Sequence, residues 1–284
     1  PLAAAARALL LEQAVLHADE TPVAELKPGA GKTHRAYMWV YRSAQQPLVV
    51  YDYRSSRGGV HAREFLCGWS GTLVVDDFSG YKALFADGAI REAGCWAHAR
   101  RKFFEAHKLT GSALAAQALE RIGELYRIEQ DIRDLDPDER LRRRRQETRP
   151  RLDALHVWMI EQRPRLARAD ATARAIDYAL GRWTALGVFA TDALVPIDNN
   201  AAERAVRPIA LGRKNWLFVG SRQAGERAAA LMTLIESAKL CGLDPWAYLR
   251  DVFAKLPTWP NRRLQELLPH RWVGASSAPT SHTA

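Results

Sequence analysis

Cysteine is scarce in this sequence. Cys67, Cys95 and Cys241 are odd in number and widely spaced over 284 residues. That excludes a disulfide framework as the scaffold and fits a reducing compartment. No apolar run approaches the ~20 residues that a helical membrane span needs, so the expectation is a soluble protein with no membrane partner. The opening PLAAAARALLLEQAVL is apolar, but Glu12 interrupts it and no basic region precedes it, which excludes a secretory leader. With no initiator Met, it reads as a piece of a longer chain. No repeat of fixed period is visible, which excludes a solenoid or a propeller. Acids are in deficit: 32 Asp and Glu stand against 41 Lys and Arg, a net charge of +9 and a pI near 9.7. That balance suits a polyanionic partner such as nucleic acid, where neutralised phosphates release counterions. Many basic proteins bind nothing acidic, so the charge alone does not decide. A hydrophobic content of 48% is enough for a real core.

Strand-like and helix-like signals alternate through the first hundred residues. AVLHAD (14–19) reads as a short strand that ends in the turn DETP, with Pro22 stopping further pairing. YMWVYRSA (37–44) and PLVVYDYR (47–54) are aromatic and β-branched and read as a hairpin about Gln45-Gln46. HAREFLCGW predicts a short helix, GTLVVDDF (71–78) a strand reached by a helical crossover, SGYKALF another helix, and EAGCWAHARRKFFEAH a fifth strand turning into a basic helix. A mixed sheet with helices follows. From Leu109 to Leu186 the character changes. Leu125, Ile128, Ile132 and Leu135, and then Leu152, Leu155, Met159 and Leu166, keep helical spacing, punctuated by Asp136-Pro137 and Arg163-Pro164. Within it, LRRRRQETRPR (141–151) reads as a solvated helix face, with DNA contact as the alternative. After Leu194 the sequence predicts a turn over 196–200, a short helix over 200–207, a strand at NWLFVG (215–220) and a helix over 227–241. A further helix begins at Asp244-Pro245, with Asp as its cap. The last ten or so residues are small and polar and read as a disordered tail.

Three acids stand out by placement: Asp19 ending the first strand, Asp76 ending the strand after the crossover, and Glu203 on the helix that resumes after the helical stretch. Adjacent strand ends can bring two carboxylates together, and a packed helix can supply the third. Such hard oxygen ligands suit Mg²⁺ or Mn²⁺, and two ions held a few ångströms apart can drive an in-line phosphoryl displacement with no covalent enzyme nucleophile. Each acid also has a bland reading. Asp19 fits a turn former, Asp76 competes with Asp77 for capping the next helix, and Glu203 follows Asn200 at capping-box spacing.

The blocks HADETPV, VVDDFSGY, CWAHARRKFF, DNNAAERAVRPIALGRKNWLFVGS and LIESAKLCGLDPWAYLRDVF, in this order from Val15 to Phe253, resemble the catalytic core of insertion sequence 66 family transposases, within the DDE transposases of ribonuclease H-like fold. The long block running from the two asparagines to NWLF is the most specific of them. The resemblance implies an α/β fold, a ribonuclease H-like mixed sheet flanked by helices. It divides the chain into a first core part over 1–108, an all-helical insertion over 109–190, the rest of the core with Glu203 over 191–256, and a C-terminal extension with its tail over 257–284. It places the catalytic, metal-binding carboxylates on Asp19 of DET, on Asp76 of the D-x-[YF]-x-G-Y pattern (with Phe78 where Tyr is more usual), and on Glu203 of NNAAER. It implies two Mg²⁺ or Mn²⁺ ions, DNA partners in the form of transposon ends and target, a homo-oligomer on DNA, and a bacterial cytoplasm near the nucleoid. The amino-terminal part that such proteins carry for recognising transposon ends is missing here.

His98, Arg100, Arg101 and Lys102 match the family's basic block; His98 fits a phosphate or water ligand and equally a structural histidine. Cys95 and His98 are spaced C-x-x-H, but no second ligand pair accompanies them, which argues against zinc. Arg204, Arg207, Arg213 and Lys214 surround Glu203 and suit DNA phosphates. Trp216 and Phe218, alternating in a strand, read as core; stacking on a flipped base at a transposon end is the alternative. Two rival functions remain open on sequence: a structure-selective nuclease or resolvase on the same fold, and a non-catalytic DNA-binding remnant.

Overall fold

Runs of aromatic and β-branched residues build the first strands, as their alternation predicts. The computed structural model describes residues 1–273. It is a mixed α/β structure: α1 (Leu2–Leu10), β1 (Val15–Leu26), β2 (Thr33–Ser43), β3 (Val49–Arg54), α2 (Val60–Phe65), β4 (Gly71–Val74), a 3-10 turn at Ser79–Phe85, and β5 (Ile90–Ala93). The helices α3 (Trp96–Thr110), α4 (Ala113–Asp131), α5 (Pro137–Arg143), α6 (Arg149–Gln162), α7 (Ala171–Gly181) and α8 (Trp183–Gly187) follow. The chain continues through α9 (Asn200–Trp216), α10 (Arg222–Leu240) and α11 (Pro245–Lys255) to 3-10 turns at Asn261–Leu267 and Pro269–Arg271. The sheet order is β3-β2-β1-β4-β5. β2 and β3 are antiparallel, whereas β1 with β4 and β4 with β5 are parallel.

The fold divides into two compact units, one holding Pro1–Ala14, Ala18–Trp69 and the chain from Ala202 on, the other Val15–His17 and Ser70–Ala201. In the first, the β2–β3 hairpin turns at Ser43, whose Oγ accepts from the Gln45 and Gln46 amides at 3.1 and 2.9 Å. Val23, Met38, Val40, Tyr51 and Tyr53 of the sheet pack with Ala205, Ile209 and Ala229. An edge strand leaves a row of backbone groups in need of partners. On β3, α10 supplies them with buried hydroxyls: Thr233 Oγ1 accepts from the Tyr51 amide (3.0 Å), while Ser237 Oγ accepts from the Val49 amide (3.2 Å) and donates to its carbonyl (3.1 Å). Gly225 on α10 permits this close approach, because a Cβ there would lie 2.5 Å from the Tyr53 ring. A second apolar cluster joins Leu2, Leu234, Ala238, Tyr248, Val252 and Leu267.

The second unit sets Val15, Leu16 and His17 beside Thr72, Leu73 and Val74, and β4 beside β5. From Trp96 to Thr191 the described residues form helices and turns with no strand. Asp136, Asp170 and Ser112 cap α5, α7 and α4 by accepting amides of the first turn. Trp96 packs edge-on to Trp183 at 5.7 Å and donates from Nε1 to the Leu186 carbonyl at 2.8 Å.

Four expectations are corrected. Pro22 does not end the first strand; β1 runs on to Leu26. Val74, the last residue of β4, is partnered by His17, so Pro22 owes no ladder bond to β4. The helix expected over 200–207 extends through Pro208 to Trp216, absorbing the start of NWLFVG. That segment is no strand: Val219 makes only an isolated bridge to Glu25. Proline at 208 removes the amide that would bond the Arg204 carbonyl; on the next residue, Tyr51 Oη donates to the Ala205 carbonyl at 2.6 Å. The run LRRRRQETRPR is neither a plain solvated face nor a free cationic one. Arg142, Arg143 and Arg149 pair with Glu139, Glu147 and Asp153, while Arg144 is buried, paired with Glu129 and donating to the Phe189 and Asp192 carbonyls at 2.7 Å. The extension expected after residue 257 includes 3-10 turns at Asn261–Leu267 and Pro269–Arg271, with Leu267 and Leu268 buried. The tail expected to be disordered, 274–284, lies outside the described residues.

Removing one member of a buried charge pair strands the other. Arg144→Met should therefore cost about 3–5 kcal/mol of stability by urea denaturation. Arg142→Ala, at an exposed pair, should cost far less. Equal effects would show that Arg144 is not the clasp of the helical region.

Candidate active site

Asp19 sits inside β1, two residues beyond His17, the last residue paired with β4. Its Oδ1 accepts the Glu20 amide at 2.8 Å. The neighbouring acid is engaged elsewhere: Glu20, almost fully buried, pairs with Arg57 at 2.6 Å. Asp76 follows β4, two residues beyond Val74, the partner of His17. Its Oδ1 accepts the Phe78 amide at 2.9 Å, a local turn that fixes the carboxylate. Asp77 is exposed and pairs with Lys82 and Arg182, both at 3.2 Å. Arg182, itself buried, also holds Glu92 at 2.6 Å. Of the two aspartates, Asp77 is thus the one taken into this ion-pair network.

Glu203 lies in the first turn of α9. The Asn200 amide, the donor that a capping box would direct to Glu203, donates to Asp198 Oδ1 at 3.1 Å. The Asn200 side chain donates to Asp198 Oδ2 at 2.7 Å, and Tyr126 Oη donates to the same oxygen at 3.0 Å. Burial and then the Asp198 charge push the Tyr126 hydroxyl well above its usual range, so it stays a donor. Immediately before, the buried Asn199 bonds through Oδ1 to His17 Nδ1 at 2.8 Å and donates its amide to Cys95 Sγ at 3.2 Å. His17, Asn199 and Arg182 were not singled out by sequence reasoning. A histidine two residues before one candidate acid, and an asparagine four before another, were the available signals.

Of the expected DNA contacts, Arg204, Arg207 and Lys214 are exposed on α9. Arg213 is held against β1, donating to Thr21 Oγ1 at 3.2 Å and to the Pro22 carbonyl at 2.7 Å. Burial and next the like charge of Arg204 lower the Arg42 guanidinium, which marks a place where cations crowd. On α3, Arg100 and Arg101 are exposed and His98 is half-buried. Lys102 lies over the Tyr178 ring, 4.4 Å from its centre. The Cys95 thiol and a His98 ring nitrogen lie within 4.8 Å of each other. Trp216 and Phe218 are exposed, not core. A cleft of about 400 Å³ in the first unit is lined by Arg7, Asp52, Arg54 and Glu226 and by none of the three candidate carboxylates. Arg54 closes on Asp52 at 2.7 Å, so this cleft offers no convergent unpaired charge.

The chain belongs to the transposase IS66 family, whose model matches residues 1–227, and the IS66 C-terminal element matches residues 233–270. Among curated proteins it is similar to Uncharacterized protein y4hP of Sinorhizobium fredii, 37% identical over 93% of this chain and 51% of that protein. It is also similar to Uncharacterized protein y4jD of the same organism, 35% identical over 93% of this chain and 55% of that protein. The chain therefore spans about half the length of the curated relatives it matches. No solved structure matches it. No helix among the described residues is long and apolar enough to cross a membrane.

The contacts of Asn199 carry a prediction of their own. Asn199→Ala deletes the acceptor of a buried bond and should lower stability by about 1–3 kcal/mol in urea denaturation. His17→Ala in the same background should add much less than it does alone. Full additivity would show that the two residues do not act as a pair.

Proposed function

We propose that this chain is the catalytic region of a DNA transposase, cleaving and transferring DNA phosphodiesters at transposon ends on a ribonuclease H-like core. The observation that carries this reading is the parallel register of β1 and β4, past whose paired His17 and Val74 each chain runs two residues to an aspartate. The order β3-β2-β1-β4-β5, with an antiparallel hairpin on one side and parallel strands on the other, supports the fold assignment. In this reading residues 1–108 and 191–256 form the core and 109–190 the helical insertion.

As hard oxygen donors, the carboxylates of Asp19, Asp76 and Glu203 are a ligand set that suits Mg²⁺ or Mn²⁺. When bound, two such ions activate a water or a 3′-hydroxyl and stabilise the leaving oxygen of an in-line displacement. The protein's share is to hold its carboxylates ready. Asp19 and Asp76 are each locked by a backbone amide, and the first turn of α9 presents Glu203. Arg204, Arg207 and Lys214 line α9 to neutralise phosphates of the strand being cut; His98, Arg100, Arg101 and the tethered Arg213 complete the cationic set. The partners are transposon-end and target DNA, with the chain acting as a homo-oligomer in the bacterial cytoplasm.

Asp76→Ala should abolish cleavage of an end duplex, by more than the ~10–100-fold that losing an outer partner of a metal ligand costs, with duplex affinity nearly unchanged. Asp77→Ala should retain cleavage. Loss with Asp77→Ala and activity with Asp76→Ala would overturn the assignment, and cleavage without joining would favour a nuclease.

Arg207→Ala should weaken specific and random duplexes alike and make the slope of log affinity against log salt shallower by about one unit. An unchanged slope with lowered stability would assign Arg207 to holding the helix.

A further inference from the structure

The segment Trp216–Phe218 is apolar, consecutive and on the surface: Trp216 is 40%, Leu217 64% and Phe218 41% exposed. It is not loose. Trp216 ends α9, and its indole lies over Gly212 one turn back, where a Cβ would come within 2.6 Å of Nε1. Leu217 takes a left-handed backbone (φ 57°), which leucine rarely adopts, and the Phe218 amide donates to the Trp216 carbonyl at 2.6 Å. Immediately after, Val219 is pinned to β1, its amide donating to the Ala24 carbonyl (2.8 Å) and its carbonyl accepting from Leu26 (2.9 Å). A glycine in the helix, a strained residue and a strand bridge all act to hold two aromatic rings outward, where burial would be the usual fate of such side chains.

Charge says what fits there. From Arg204 to Arg222 the chain carries Arg204, Arg207, Arg213, Lys214 and Arg222 and no Asp or Glu. Lys214 is exposed two residues before the knuckle; Arg222, four residues after it, is exposed and pairs with Glu226 at 2.9 Å. Aromatic faces set among cations are the chemistry of single-strand nucleic-acid binding, in which unpaired bases stack while cations track the backbone. A protein partner of apolar character would gain nothing from the cations, and paired bases keep their faces inside the duplex.

We propose that Trp216 and Phe218 form a stacking site for unpaired bases of a DNA single strand. This rests on the reading that the partner is DNA, and not on the metal site. The test is anisotropy of the full chain with a labelled oligothymidylate of about 20 nucleotides, longer than the ~4–16 nucleotides of a compact single-strand site, against a duplex of equal length. The double variant Trp216→Ala/Phe218→Ala should lose single-strand affinity by about 5- to 140-fold, the range for one stacked base. Its duplex affinity should stay within about twofold, since phosphate contacts carry that term. Gly212→Ala keeps every aromatic ring, favours the helix, and displaces only the indole seat; it should lose single-strand affinity in the same direction with an undiminished thermal midpoint. Equal losses on single strand and duplex, or no loss on either, would overturn the stacking site. A change of oligomeric state by sedimentation in place of the single-strand loss would assign the knuckle to a second copy of the chain. Wild-type protein binding neither DNA would overturn the DNA reading itself.

Discussion

The bond between His17 and Asn199 is the constraint on which the candidate site depends. Both side chains are buried, at 2% and 1% exposure, and their 2.8 Å contact joins residues 182 apart in sequence. A buried imidazole and a buried amide each lose hydration on folding, so the pair is stable only when the bond is made. Its position gives it leverage. Asp19 follows His17 by two residues along a strand, and Glu203 follows Asn199 by four, in the first turn of α9. The Asn199 amide on Cys95, and the Asp198 carboxylate shared by Asn200 and Tyr126, brace the same entry. The helix start is thereby fixed by side chains on both sides of it, which is what a preorganised carboxylate requires.

A net charge of +9 describes two populations of arginine with different duties. Arg144 and Arg182 are buried and saturated by carboxylates or carbonyls, and Arg213 is tied to β1. These arginines hold the fold, where the planar guanidinium satisfies several acceptors at once. Arg204, Arg207 and Lys214 stay exposed on one helix. The excess that bears on a polyanion is therefore the local one along α9, not the sum over the chain. The arginine run at 142–145 illustrates the point: in the densest cationic stretch of the sequence, Arg142 and Arg143 pair with acids three and four residues away and Arg144 with Glu129.

Much of the architecture was legible where a pattern has one physical outcome. Alternating aromatics at 37–54 had to be a hairpin, and Asp-Pro at 136 and 244 had to start helices, because the cap and the proline both act locally. The failures share one cause, tertiary partners that override local rules. Pro22 reads as a strand stop until the register shows that β4 asks nothing of it. Pro208 reads as a helix end, yet α9 runs through it, with Tyr51 holding the Ala205 carbonyl in the turn before. NWLFVG has the composition of a strand, yet the helix runs into it because Gly212 gives Trp216 room on the helix surface. For the candidate site, the acids were visible as residues at element ends. The pairing of Asp77 with Arg182, which separates it from Asp76, spans more than a hundred residues and could not be read from spacing.

These features converge on α9. Its first turn bears Glu203 and its last residue is Trp216, thirteen residues on, which at 1.5 Å per residue is about 20 Å along the axis. A nucleic-acid strand advances about 3.4 Å per nucleotide in stacked form, so that length corresponds to roughly six nucleotides. Under the proposed function, a base held at Trp216 and a phosphate near Glu203 would thus be separated by a fixed count, with Arg204 and Arg207 near one end of the interval and Lys214 near the other. The helix continues through Pro208 to Trp216, so the length holds. A single rigid element would then measure the distance between the place of cutting and the place where the strand is unstacked. Such a measure depends on the helix staying one piece, and the buried bond from Tyr51 to the Ala205 carbonyl ties the turn before Pro208 to β3.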